Sequence, residues 1–98
     1  MSDKEISRLH VILDGRVQGV GFRYFVLENA LPLHLTGWVR NTSGGQVEVV
    51  AEGGRKELEQ LLETLRRGPR SAFITYVDQE WPPATGEFSH FEVRSTVY

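Results

Sequence analysis

The chain contains no cysteine, which excludes disulfide frameworks, thiol nucleophiles and the cysteine-rich kind of structural zinc site. No apolar run approaches the roughly 18 residues of a membrane-spanning helix. The amino-terminal stretch MSDKEISRLH likewise lacks the apolar centre of a secretory signal, so a cytoplasmic protein is expected. Charge of one sign is also missing. Lys and Arg number 11 against 13 Asp and Glu, a formal net charge of −2, so no global positive field draws the chain to nucleic acid or to an anionic membrane. Any anion site must be local. There is no GxSxG elbow and no paired-carboxylate motif, and His10, His34 and His90 are not spaced as metal ligands. No metal and no cofactor is expected.

What remains is an ordinary globular composition, 40% hydrophobic and 24% charged over 98 residues, enough for one core and one domain spanning residues 1–98. The run LHVIL predicts a first strand with Leu9, Val11 and Leu13 on one face, stopping at Asp14-Gly15. Phe22, Phe25, Val26, Asn29, Ala30 and Leu33 then recur at three- and four-residue spacing, predicting a helix that opens near Phe22 and ends before Pro32. Two β-prone runs flank Thr42-Ser43-Gly44-Gly45 and predict a hairpin. Its second arm alternates Val47, Val49 and Ala51 against Gln46, Glu48, Val50 and Glu52, as for a strand with one face on a core. Leu58, Leu61, Leu62 and Leu65 stripe a second helix from Arg55 to Arg67, closed by Gly68-Pro69. In AFITYVDQEW, Ile74 and Val77 are out of phase for a strand, which suggests a bulge, and a short last strand is expected around Phe91 and Val93. The order β, α, β, β, α, β is the split βαβ pattern of ferredoxin-like α+β folds. With right-handed crossovers, both helices lie on one face of a four-stranded antiparallel sheet, with the short terminal strand as an extension.

Between the first strand and the first helix stands GRVQGVGFR, with glycines at 15, 19 and 21. First-turn N–H groups of a helix have no intrahelical partner, and its macrodipole is positive there, so a backbone curled by glycines can converge several N–H groups on one oxyanion. Arg23 falls in that first turn, where a cation opposes the dipole. A bound anion would offset it, and a guanidinium can grip two oxygens of a phosphate. The candidate cradle is therefore the backbone of Arg16, Val17, Gln18, Gly19, Val20 and Gly21, together with Arg23. The loop alone fits equally well a glycine-rich turn with a surface arginine laid over Phe22. It is not a P-loop or a dinucleotide fingerprint, because Lys-Ser or Lys-Thr does not follow the last glycine and Tyr24 stands where GxGxxG needs glycine.

GRVQGVGFR followed by GWVRNTSGGQVEVVAEG resembles the two signature segments of the acylphosphatase family. Gly15, Val17, Gln18, Gly19, Val20, Phe22 and Arg23 carry the first, and Gly37, Trp38, Val39, Asn41, Gly45, Val47 and Gly53 carry the second. The resemblance covers nearly the whole chain and implies a small free-standing, metal-independent hydrolase of acyl phosphates. It implies that Arg23 binds the phosphoryl group and that Asn41 orients the attacking water, with inorganic phosphate as product. An amide suits that task, since it both donates and accepts while carrying no charge to repel phosphate. Seen without the cradle, Asn41 would read as a residue opening a turn. Small-molecule substrates, a monomer and no nucleic acid or membrane partner are expected.

Two other readings compete. RNA-recognition domains share the split βαβ order, and GFRYFV faintly echoes their aromatic motif, but that motif belongs on an interior strand and has glycine or alanine where Arg23 stands. An accessory acylphosphatase-like domain of a carbamoyl-phosphate-handling maturation protein would belong to a much larger chain with cysteine-rich zinc modules. Trp38, Phe22, Phe25 and Tyr24 are expected to pack in the core.

Overall fold

The computed structural model describes residues 5–96. Along them run β1 (Ser7–Arg16), α1 (Phe22–Ala30), a 3-10 turn (Leu31–Leu33), β2 (Thr36–Asn41), β3 (Val47–Gly53), α2 (Arg55–Arg67), β4 (Phe73–Glu80) and β5 (Phe91–Val93). The sheet order is β4-β1-β3-β2-β5. The first four strands are antiparallel and β5 runs parallel to β2. This is the expected ferredoxin-like α+β arrangement, with the terminal strand extending the sheet at its β2 edge.

Both helices pack on one face. Leu9, Val11 and Leu13 of β1, Val39 of β2, and Val47, Val49 and Ala51 of β3 form one buried cluster with Phe22, Val26 and Ala30 of α1 and the four leucines of α2. The α2 stripe is buried as its spacing requires, and Gly68 closes the helix at φ 69 with its N–H on the Thr64 carbonyl. In α1 the α-helical part stops at Ala30 and tightens into the 3-10 turn holding Pro32, whose nitrogen has no hydrogen to donate.

The structure departs from sequence expectation in three places. The first strand does not stop at Asp14-Gly15 but runs on to Arg16, paired with β4. The suspected bulge lies there: Asp14 faces Tyr76 and Gly15 faces Ile74, leaving Thr75 as the extra residue. That insertion brings Ile74 and Val77 to the core side together, where both pack against the buried cluster.

The second departure concerns β3, where Val50 and Glu52 are buried although they point away from the helices. The segment after β4 folds across that outer face and covers Glu52. Glu52, only 2% exposed, accepts from the backbone N–H of Thr85 at 2.9 Å, from the N–H of Gly86 at 2.9 Å and from Arg8 Nε at 2.6 Å. Arg8 in turn stacks on Phe88, 5.1 Å from the ring centre. Burial pushes the Glu52 carboxyl up, but the Thr85 N–H, Arg8 and the Gly86 N–H outweigh it and hold it below the ordinary carboxylate range.

Third, only two of the four aromatic residues expected in the core are there. Phe22 is buried and meets Phe25 edge-on at 5.7 Å. Tyr24 is exposed, and Trp38 lies on the outer sheet face between the guanidinium groups of Arg40 and Arg94, 4.6 and 5.1 Å from its ring. Alternation along β2 sends Val39 inward and therefore Trp38 outward.

Candidate active site

At Gly15 the β4 backbone passes so close that a Cβ would sit 2.1 Å from the Phe73 carbonyl oxygen. Only glycine allows β1 to hold this bulge and then release the loop. Beyond it, Val17 is buried and Val20 packs against the core. These two side chains pin the loop from inside, while Ser71 donates to the Val20 carbonyl at 3.2 Å. Gly19 and Gly21 take left-handed conformations, φ 73 and 77, and a Cβ on either would meet nothing within 4 Å. Glycine is needed at both for backbone geometry, and the space in front of them is open.

Gly21 is the N-cap of α1, with no capping side chain and no acidic residue in the first turn. Among the described residues, no backbone N–H from Val17 to Tyr24 donates to a protein acceptor; the first that does is Phe25, to Gly21 O at 3.0 Å. A row of unsatisfied N–H groups at a helix N-terminus is an anion site in its own right. Arg23, half-buried in this first turn, makes no ion pair or hydrogen bond with the described residues. GFRYFV thus opens α1 rather than forming an interior strand, which removes the RNA-binding alternative's motif.

Asn41 is the last residue of β2 and pairs with Val47 of β3. Strand alternation puts it on the same side as buried Val39, the face that carries the helices. Its side chain has no hydrogen-bond partner among the described residues and is free to hold a small molecule. The turn after it is stapled by Thr42, whose hydroxyl accepts from the N–H of Gly44 at 3.3 Å and of Gln46 at 3.2 Å.

Loop and hairpin are joined by a residue whose side chain had no assigned task in the sequence reading. Gln18 Nε2 donates to Thr42 O at 2.9 Å and to Gln46 O at 2.8 Å. Beside it, Gln46 Nε2 donates to Asp14 Oδ2 at 3.1 Å. Sequence gives no signal for these bonds, because they span 24 to 32 positions.

Clefts exist elsewhere. One of about 160 Å³ is lined by Arg8, Arg55 and Trp81, and one of about 270 Å³ by His34, Thr36, Glu52 and Phe88. Both lie beside the starts of β1 and β2, at the opposite end of these strands from the loop. A phosphoryl group is small and needs converging donors more than depth, so the shallow loop remains the better candidate. No three His, Cys, Asp or Glu side chains gather as metal ligands would among the described residues.

The acylphosphatase family model matches residues 9–93. An acylphosphatase of Syntrophotalea carbinolica is 46% identical over 87 residues, which is 89% of this chain and 95% of its own. The solved acylphosphatase of Coxiella burnetii superposes with a TM-score of 0.88 at 42% identity, over 96% of this chain and all of that one. The full-length HypF structure in phosphate- and nucleotide-bound form also contains the fold, with a TM-score of 0.88 and 28% identity over 97% of this chain but only 13% of its own length. A family model over nearly every residue, together with whole-length relatives at this identity, leads to one assignment: the chain belongs to the acylphosphatase family, hydrolases that cleave acyl phosphates to carboxylate and inorganic phosphate.

Proposed function

We propose that this acylphosphatase holds the phosphoryl group of its substrate in the backbone cradle of Arg16, Val17, Gln18, Gly19, Val20 and Gly21 with Arg23, and that Asn41 orients the attacking water. The observation that carries this reading is the run of N–H groups from Val17 to Tyr24 without protein acceptors at the start of α1. An acyl phosphate is a mixed anhydride whose carboxylate is a good leaving group, so little acid or base strength is required. The N–H groups and Arg23 hold the phosphoryl oxygens and neutralise their charge as it shifts. Water held by the Asn41 amide attacks phosphorus, and the phosphorus–oxygen bond to the acyl group breaks. The carboxylate departs with the bonding pair, and the proton of the water passes to the phosphate or solvent.

The space in front of Gly19 and Gly21 is open, so the acyl part of the substrate extends toward solvent. On this reading the whole chain, 1–98, acts as a single domain in the cytoplasm, and as a monomer, since both parts of the site come from one chain.

The test is hydrolysis of benzoyl phosphate by the parent, Arg23→Ala and Asn41→Ala. Removing one preorganised donor in comparable sites costs about 100- to 1000-fold in kcat, and that loss is expected for each variant. Arg23→Ala should also weaken inhibition by inorganic phosphate, whereas Asn41→Ala should leave it nearly unchanged. A variant that is folded by circular dichroism and works at the parent rate removes the role assigned to that residue.

A further inference from the structure

We infer that Gln18 is a positioning residue, whose side chain sets Asn41 against the phosphate cradle while its backbone serves the cradle itself. This rests on the roles proposed above for Arg23 and Asn41. The two halves of the site are not on neighbouring strands: the loop leaves β1, Asn41 ends β2, and β3 lies between them in the sheet. Val47, the first residue of β3, pairs with both Leu13 and Asn41, and past it the chain turns away into the hairpin. From there to α1 no strand ladder fixes the distance between loop and turn.

Gln18 bridges this gap. Its amide nitrogen carries two hydrogens, and both have acceptors, the carbonyls of Thr42 and Gln46 on the two sides of the turn. Thr42 directly follows Asn41, so the bond to its carbonyl acts one residue from the proposed water holder. Each carbonyl takes a second donor as well, Gly45 N–H on Thr42 O and Thr42 N–H on Gln46 O. The amide therefore locks a turn that is already hydrogen-bonded internally. The contact from Gln46 to Asp14 adds a second tie, from the same turn to the end of β1 just before the loop. A hydrophobic residue of equal size at position 18 would fill the space and leave both carbonyls without this donor. The cradle's N–H groups belong to the main chain and would persist.

The experiment compares the parent with Gln18→Leu and Gln18→Met on benzoyl phosphate, with inorganic phosphate as inhibitor. A displacement of order 1 Å between water holder and phosphoryl group costs about 100-fold, so kcat is expected to fall by about 10- to 100-fold. KM and the phosphate inhibition constant should stay within about threefold, because the groups that bind phosphate are retained. A folded Gln18 variant with the parent's kcat overturns the inference. Parallel loss of kcat and phosphate affinity also overturns it, because Gln18 would then be holding the cradle rather than aligning Asn41. Gln18→Met keeps an unbranched side chain of similar length and supplies the answer if the leucine variant does not fold. A parent inactive on benzoyl phosphate would bring down the proposed roles of Arg23 and Asn41 as well, whereas an active parent beside an unimpaired Gln18 variant refutes this inference alone.

Discussion

Replacing Glu52 by Gln removes a buried charge without changing the shape of the side chain, and the expected result is a large loss of stability with little loss of activity. The carboxylate accepts from Arg8 and from the N–H groups of Thr85 and Gly86, so an amide must turn its own N–H groups toward one or more of these donors. Removing one partner of a buried ion pair costs about 3–5 kcal/mol. The low end applies here, because the Arg8 side chain is still 18% exposed and retains Glu87 at 3.1 Å. About 3 kcal/mol corresponds to a drop in Tm of about 12–24 °C for a domain of this size.

The same group sets a pH signature. Its folded pKa lies below the ordinary 4.5, so its contribution is complete above the unfolded pKa and is lost as pH falls through the lower folded value. The Tm difference between parent and Glu52→Gln should therefore be constant above about pH 5 and shrink as the pH falls further below it. Activity at neutral pH should be retained below the new Tm. Glu52 is level with Thr36, and Asn41 lies five residues further along β2, about 16 Å away. Thermal unfolding followed by circular dichroism, with benzoyl phosphate hydrolysis on the same samples, checks both claims. A Tm within about 3 °C of the parent at neutral pH, or a difference that does not change on acidification, would refute this account of Glu52.

Three further outcomes are expected. Gly15→Ala should destabilise by at least about 1 kcal/mol and lower activity, because its Cβ would press on the Phe73 carbonyl and shift the bulge that launches the loop. Gly44→Ala, whose nearest neighbour would be 3.8 Å away, should fall within about 0.5 kcal/mol of the parent in urea titration. Excess EDTA should leave the rate of benzoyl phosphate hydrolysis unchanged. A loss restored by added divalent metal would show that a metal takes part and that the chemistry assigned to Arg23 and Asn41 is incomplete.

The glycines of the loop, the arginine after Phe22, the leucine stripe of α2 and the order of elements are local signals, and they were legible in the chain because helix periodicity, turn chemistry and backbone freedom act over a few residues. The out-of-phase Ile74 and Val77 even located the bulge. Contacts between distant segments were not legible in this way. Glu52 reads as a solvent-facing strand residue by alternation, and only the return of residues 85 and 86 across the outer face buries it. Trp38 and Tyr24 read as core from their positions at strand and helix starts, yet strand alternation and the helix face leave them outside. Gln18 read as one more member of the loop, whereas folding brings its amide to Thr42 and Gln46. Sequence by itself determined which local geometries the chain can adopt and which residues could contact a phosphate. The tertiary structure alone decided how the loop and Asn41 are held together, because a hydrogen bond between segments this far apart exists only once the sheet has set their separation.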